Sequence, residues 1–130
     1  MAVIQKKIKL VGSQGSKEVI ALFDSGATYS CIEPALAKKL GMTEFLPTPK
    51  HFGTAEKKRK VTAKERMSLD FKLNGYTFSD EFMLIPRLIR LRRIIIGAAT
   101  LQKWRMKLDF ENDEVIIDPR VTKLRLLVFL

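Results

Sequence analysis

The sequence predicts one mostly-β domain with two short helices. Three observations lead there: segments in which apolar and polar residues alternate, hairpin-type turn signals between them, and two brief helix signatures among the strands. The alternation is clearest at Met67, Leu69, Phe71 and Leu73, where every second residue is apolar. A period of two turns one face of a strand toward a core.

Taken in chain order, "AVIQKKIKLVGSQGSKEVIALFDSG" reads as two strands joined by a Gly/Ser turn. "EPALAKKLGM" reads as a short helix, with Pro34 suited to the first helical position and Gly41 to the C-terminal cap. "TEFLPTPKHFG" reads as a loop carrying Pro47 and Pro49. Strands follow from "GTAEKKRKVTAKERMSLDFKLNGYTFSDEFMLIP", with an Asn-Gly turn signal in "LNGY". "RRIIIG" is a brief strand of the buried type, and "AATLQKW" fits a second helix in which Trp104 belongs to the core. "RMKLDFENDEVIID" forms a hairpin turning at "ENDE". The tail "TKLRLLVFL" is apolar at Leu124, Leu126, Val128 and Leu130 and could be one more strand. No internal repeat, linker or low-complexity segment is visible, so residues 1–130 are read as a single domain.

At 130 residues the chain can bury its own core. A hydrophobic content of 46% and a charged content of 29% are ordinary for a globular protein. The net charge of +10 is not, and it concentrates in "KKIK", "EKKRK" and "RLIRLRR". Such clusters fit nucleic-acid binding, a preference for acidic peptides, or simply a solvated basic surface. Aromatic content of 8% and the lack of a helix-turn-helix, zinc-finger or phosphate-loop pattern favour the solvated surface over nucleic acid. Arg90, Arg92 and Arg93 could steer substrates. The lone cysteine excludes an internal disulfide. The N-terminus lacks an apolar signal core, and the longest apolar runs are too short to span a bilayer. A soluble, cytoplasmic protein without a membrane partner is expected.

One stretch stands apart. "VIALFDSGATYSCI" places Asp24 in an apolar run, and three small residues follow it. A carboxylate among aliphatics is costly unless its charge is neutralised or hydrogen-bonded. Gly26 would let the backbone bend closely, and its N–H can reach the carboxylate; Ser25 offers a hydroxyl to a neighbour. Asp, Ser and Gly are also common turn residues, so a plain surface turn is the simpler alternative.

A second segment lies further along: "IIIGAATLQKWRMKLDF", whose Gly97 comes 73 residues after Asp24. The pair "ALFDSGATYS" and "IIIGAATLQKW…KLDF" resembles the retropepsin-like aspartic proteases, the family of the retroviral proteases. The resemblance runs over residues 3 to 118, leaving 119–130 as an extension. It implies a closed β-barrel or sandwich with a flap hairpin, a homodimer, and hydrolysis of peptide bonds without metal or cofactor.

The resemblance also assigns roles. Asp24 of each subunit would supply one carboxylate of a dyad, since the remaining aspartates (70, 80, 109, 113 and 118) lack the Asp-Ser-Gly context. Ser25 would brace the two catalytic loops across the dimer, and Gly26 would accept the substrate backbone. Ala27, Thr28 and Tyr29 would line the pocket. Ile94, Ile95, Ile96 and Gly97 would form the strand behind the loop. "FGTAEKKRKVTAKE" falls where the family has its flap, which would set Gly53, Thr54 and Ala55 over the bound extended peptide.

Two departures from the family pattern are visible. Many retroviral members carry an arginine after the later glycine, paired with an acid two residues past the catalytic alanine. Here Ala98 stands at the first position and Thr28 and Tyr29 near the second. The flap segment is charged where viral flaps are glycine-rich. These departures keep a second reading open, a weakly active or inactive dimerisation and peptide-binding module. A basic nucleic-acid binder is a third. The tail could add dimer-interface strands or pack on its own core. As the chain's lone cysteine and histidine, Cys31 and His51 could form a nucleophile pair, but Cys31 fits better as a small buried hydrophobe and His51 has no obvious third partner. Zinc ligands are too few.

Overall fold

The computed structural model describes residues 3–53, 60–86 and 94–123. Strands β1 (Ile4–Val11) and β2 (Ser16–Phe23) form the expected hairpin, in register from Ile4 opposite Phe23 to Val11 opposite Ser16. Its turn closes with the Gly12 N–H donating to the Gly15 carbonyl at 2.8 Å. Gln14 N–H also donates to the Leu40 carbonyl at 2.9 Å, satisfying one of the free carbonyls at the end of helix α1 (Pro34–Leu40). Pro34 is the first helical residue, and Gly41 caps the helix in an extended backbone.

Six strands close into a barrel. β2 pairs in parallel with β7 (Ile94–Ile96), which pairs antiparallel with the two-residue β3 (Cys31–Ile32). β3 pairs in parallel with β6 (Tyr76–Leu84), and β6 antiparallel with the long β5 (Lys60–Leu73). β5 returns to β1 where Lys9, Leu10 and Val11 meet Lys72, Phe71 and Asp70. The β5–β6 turn puts Asn74 and Gly75 at φ of 53° and 82°, the left-handed conformation an Asn-Gly hairpin requires. Alternation delivers the core as read from sequence: Met67, Leu69, Phe71 and Leu73 are all buried. Phe71 stacks on Phe78 at 5.2 Å between centroids, and Phe78 meets Trp104 edge-on at 5.3 Å.

The segment read as a loop is instead strand β4 (Glu44–Gly53), hydrogen-bonded to β5. It is an edge strand outside the closed barrel, and its pairing shifts register between Phe45 and Lys50, the stretch that holds Pro47 and Pro49. An edge strand with a bulge tolerates proline because the missing N–H has no ladder partner there. Helix α2 (Ala98–Lys103) is followed by the hairpin of β8 (Lys107–Asp109) and β9 (Glu114–Ile116). Asp109 holds that turn by accepting the Asn112 side-chain amide at 2.7 Å, which keeps its carboxyl below the usual range. The tail strand expected over 122–130 lies outside the described residues from position 124 on, as do the cluster at 56–60 apart from Lys60 and the cluster at 87–93. Among the described residues, no helix is long and apolar enough to cross a membrane.

Candidate active site

Two segments far apart in sequence meet where β2 leaves the barrel. β2 ends at the buried Phe23, directly opposite Ile96 of β7. The ladder continues one bond past the strand, with Asp24 N–H donating to the Ile96 carbonyl at 2.9 Å. The chain then turns, and Ala27 N–H returns to the Asp24 carbonyl at 3.2 Å. After the turn it comes back as β3 on the other side of β7, so one loop, residues 24–30, straddles that strand.

Asp24 is half-buried, and its Oδ1 accepts the Gly26 N–H at 2.8 Å. That bond fixes the carboxylate's orientation by a two-residue turn, the geometry a small residue at position 26 allows. Among the described residues, the other carboxylate oxygen has no partner. Ser25, Gly26 and Thr28 are exposed beside it, while Ala27 and Tyr29 are half-buried.

The loop is held from behind by helix α2. Its first two N–H groups, which have no partner inside any helix, reach back instead: Ala98 to the Ala27 carbonyl at 2.6 Å, and Ala99 to the Thr28 carbonyl at 2.9 Å. Main-chain bonds thus join these two segments. Gly97 makes the close approach possible, since a Cβ there would press on the Tyr29 and Ala27 carbonyl oxygens. Its backbone, at φ −97° and ψ 179°, is ordinary, so space and not conformation demands glycine.

Sequence reasoning missed Ser30 and Thr100. Both are buried; Ser30 Oγ accepts the Gly97 N–H at 3.0 Å and lies 2.5 Å from Thr100 Oγ1. Two hydroxyls 70 residues apart lock the loop to the strand and helix behind it. Each looks unremarkable alone, and only an expected meeting of the two segments could have singled them out.

A hairpin built from the end of β4 and the start of β5 stands in the flap position. Lys50 lies opposite Ala63 and Phe52 opposite Val61, so these four share one face, and His51 and Gly53 the other. Ala63, Phe52 and Val61 pack against Tyr29, Cys31, Met83, Ile85 and Ile95, a second apolar cluster next to the main core. Tyr29 meets Phe52 edge-on at 5.8 Å, and the Lys50 ammonium sits 4.8 Å from the centre of the Tyr29 ring. Gly53 ends β4; Thr54 and Ala55 lie outside the described residues. Of the predicted site residues, 24–29 and 95–97 are therefore brought together, with Ile96 buried and Ile95 half-buried.

Cys31 and His51 have separate partners. The Cys31 thiol donates to the Tyr29 carbonyl at 3.3 Å, and burial pushes its pKa up to about 12. His51 Nδ1 lies 2.9 Å from Thr62 Oγ1 on the exposed face of the hairpin. Among the described residues, no group of three His, Cys, Asp or Glu side chains could hold a metal ion. A cleft of about 550 Å³ near Val11, Asp70, Asp80 and Lys103 shares no residue with the Asp24 loop.

A closed six-stranded barrel, with an Asp-Ser-Gly loop braced on an aliphatic strand and a short helix, is the retropepsin-like fold. A family model described as aspartyl protease matches residues 9–100, and the chain belongs to that family. The fold is similar to the crystal structure of the retroviral protease-like domain of Ddi1 from Leishmania major. The TM-score is 0.65 and the identity 20%, over 92% of this chain and 91% of that one. No curated protein matches the chain.

Proposed function

We propose that this chain is an aspartic endopeptidase that works as a homodimer, each subunit contributing Asp24. The observation that carries this reading is the Asp24 carboxylate itself. It is fixed through one oxygen to Gly26, its other oxygen has no partner among the described residues, and it stands on a loop braced from behind by α2 and Ser30.

Aspartic proteases use two carboxylates about 3 Å apart that share one proton, because adjacent negative charges cannot both ionise. One Asp-Ser-Gly per chain supplies half of that, and a two-fold axis through the loops supplies the rest. The ionised carboxylate takes a proton from water as the water oxygen adds to the scissile carbonyl carbon. The protonated one gives its proton to the carbonyl oxygen. Collapse of the tetrahedral species breaks the C–N bond, the amine leaving with a proton and the acyl group keeping the water oxygen. An extended peptide fits between the Asp24 loop and the hairpin of β4 and β5, with side chains on the apolar cluster at Tyr29, Phe52 and Ile95.

The test is cleavage of a mixed peptide library between about pH 3 and 7, with wild type and Asp24→Asn compared at several protein concentrations. Cleavage that requires Asp24 and rises faster than linearly with concentration is the expected result. Equal cleavage by the variant would remove Asp24 from the chemistry. A folded dimer that cleaves nothing would leave a peptide-binding module.

A further inference from the structure

We propose that Lys50 and Tyr29 form a subsite that selects an acidic side chain, Asp or Glu, in the bound peptide; this rests on the protease reading above and names its substrate class. Lys50 projects from the inner face of the hairpin, because its cross-strand partner Ala63 is fully buried in the second apolar cluster. Its ammonium lies over the Tyr29 ring, 4.8 Å from the centroid, and 3.5 Å from the Tyr29 hydroxyl. Tyr29 belongs to the same loop as Asp24, residues 24–30, so this contact ties the one inward-facing cation among the hairpin's described residues to that loop.

The contrast with other cations is chemical. Lys7, Arg66, Lys103 and Arg120 each face a carboxylate on the surface. Among the described residues, Lys50 faces none; a π face and a phenol hold it. An ammonium has three donors, and one bond to Tyr29 leaves two for a visiting carboxylate. The ring face orients the ammonium without neutralising it. Next to it, Phe52, Val61 and Ile95 are partly buried apolar side chains that would hold a neighbouring apolar residue. A glutamate there gains a charge-assisted hydrogen bond, a glutamine gains a weaker one, and a lysine meets like charge. The net charge of +10 acts in the same sense at long range.

The experiment uses matched peptides that differ only in Glu, Gln or Lys at one position flanking an apolar pair, scanned along the peptide. Wild type, Lys50→Met and Lys50→Glu are compared as ratios of kcat/KM within each enzyme. At one position wild type prefers Glu over Gln by about tenfold, a preference that salt reduces. Lys50→Met abolishes the ratio, and Lys50→Glu inverts it toward Lys at that same position. Ratios unchanged in both variants, with cleavage intact, would overturn the subsite and leave the protease reading standing. If wild type cleaves nothing, the protease reading fails by itself, and the same peptides are then scored for binding by fluorescence anisotropy. Glu-selective binding that is lost in Lys50→Glu upholds the subsite; indifferent binding overturns it.

Discussion

Ser30 Oγ lies 2.5 Å from Thr100 Oγ1, both side chains buried, and the same Ser30 oxygen accepts the N–H of Gly97 at 3.0 Å. Removing one partner leaves the other buried and unsatisfied, whereas removing both leaves only the glycine N–H exposed to loss. Ser30→Ala is therefore expected to cost about 2 kcal/mol and Thr100→Val about 1 kcal/mol. The double variant should cost less than their sum. Denaturant unfolding of the four proteins measures this coupling, and strict additivity would show that the pair does not act as a unit.

Gly97→Ala should be more damaging than its size implies. The added methyl meets two backbone carbonyl oxygens, of Tyr29 and Ala27, and backbone cannot swing aside as a side chain can. A loss of about 3 kcal/mol or more is expected, with activity lost along with the loop geometry. A variant that melts within a degree or two of wild type would contradict the close crossing.

Asp24→Asn and Asp24→Ala separate structure from chemistry. The asparagine carbonyl can still accept the Gly26 N–H, so Asn should leave stability almost unchanged while abolishing cleavage. Alanine leaves that N–H without its acceptor at a cost of about 1 kcal/mol. Thermal melts alongside peptide cleavage check both, and equal melting of the two variants would mean that the bond contributes nothing to stability.

Cys31 offers a pH-dependent check on the second apolar cluster. Burial raises its pKa from 9.0 to about 12, so the folded state favours the neutral thiol. The sign follows: this contribution is fully present below about 9 and is lost as pH rises toward about 12. Relative to Cys31→Ala, wild type should lose stability across that window. Thiol reagents at pH 8 should label Cys31 only on unfolding, and rapid labelling of the native protein would place the thiol elsewhere.

Much of the fold was legible because its signals are local. The Met67–Leu73 alternation, the Asn74-Gly75 turn and the Pro34 helix start each act within a few residues, and each appears in the structure as read. Pro47 and Pro49 misled for the same reason. Proline argues against a strand only where its N–H is needed, and an edge strand with a bulge does not need it.

The sequence by itself determined the strand and helix pattern, the Asp24 turn with its Gly26 bond, and the family to which the chain belongs. Tertiary structure alone decided what surrounds that turn. The parallel pairing of β2 with β7, the two N–H groups of α2 spent on the loop, the Ser30–Thr100 contact and the Lys50 ammonium over Tyr29 all join distant parts of the chain. Periodicity and turn chemistry report on neighbours along the chain. Which hydroxyl meets which, and which cation lies over the Tyr29 ring, is set only when the barrel closes and brings those segments within reach.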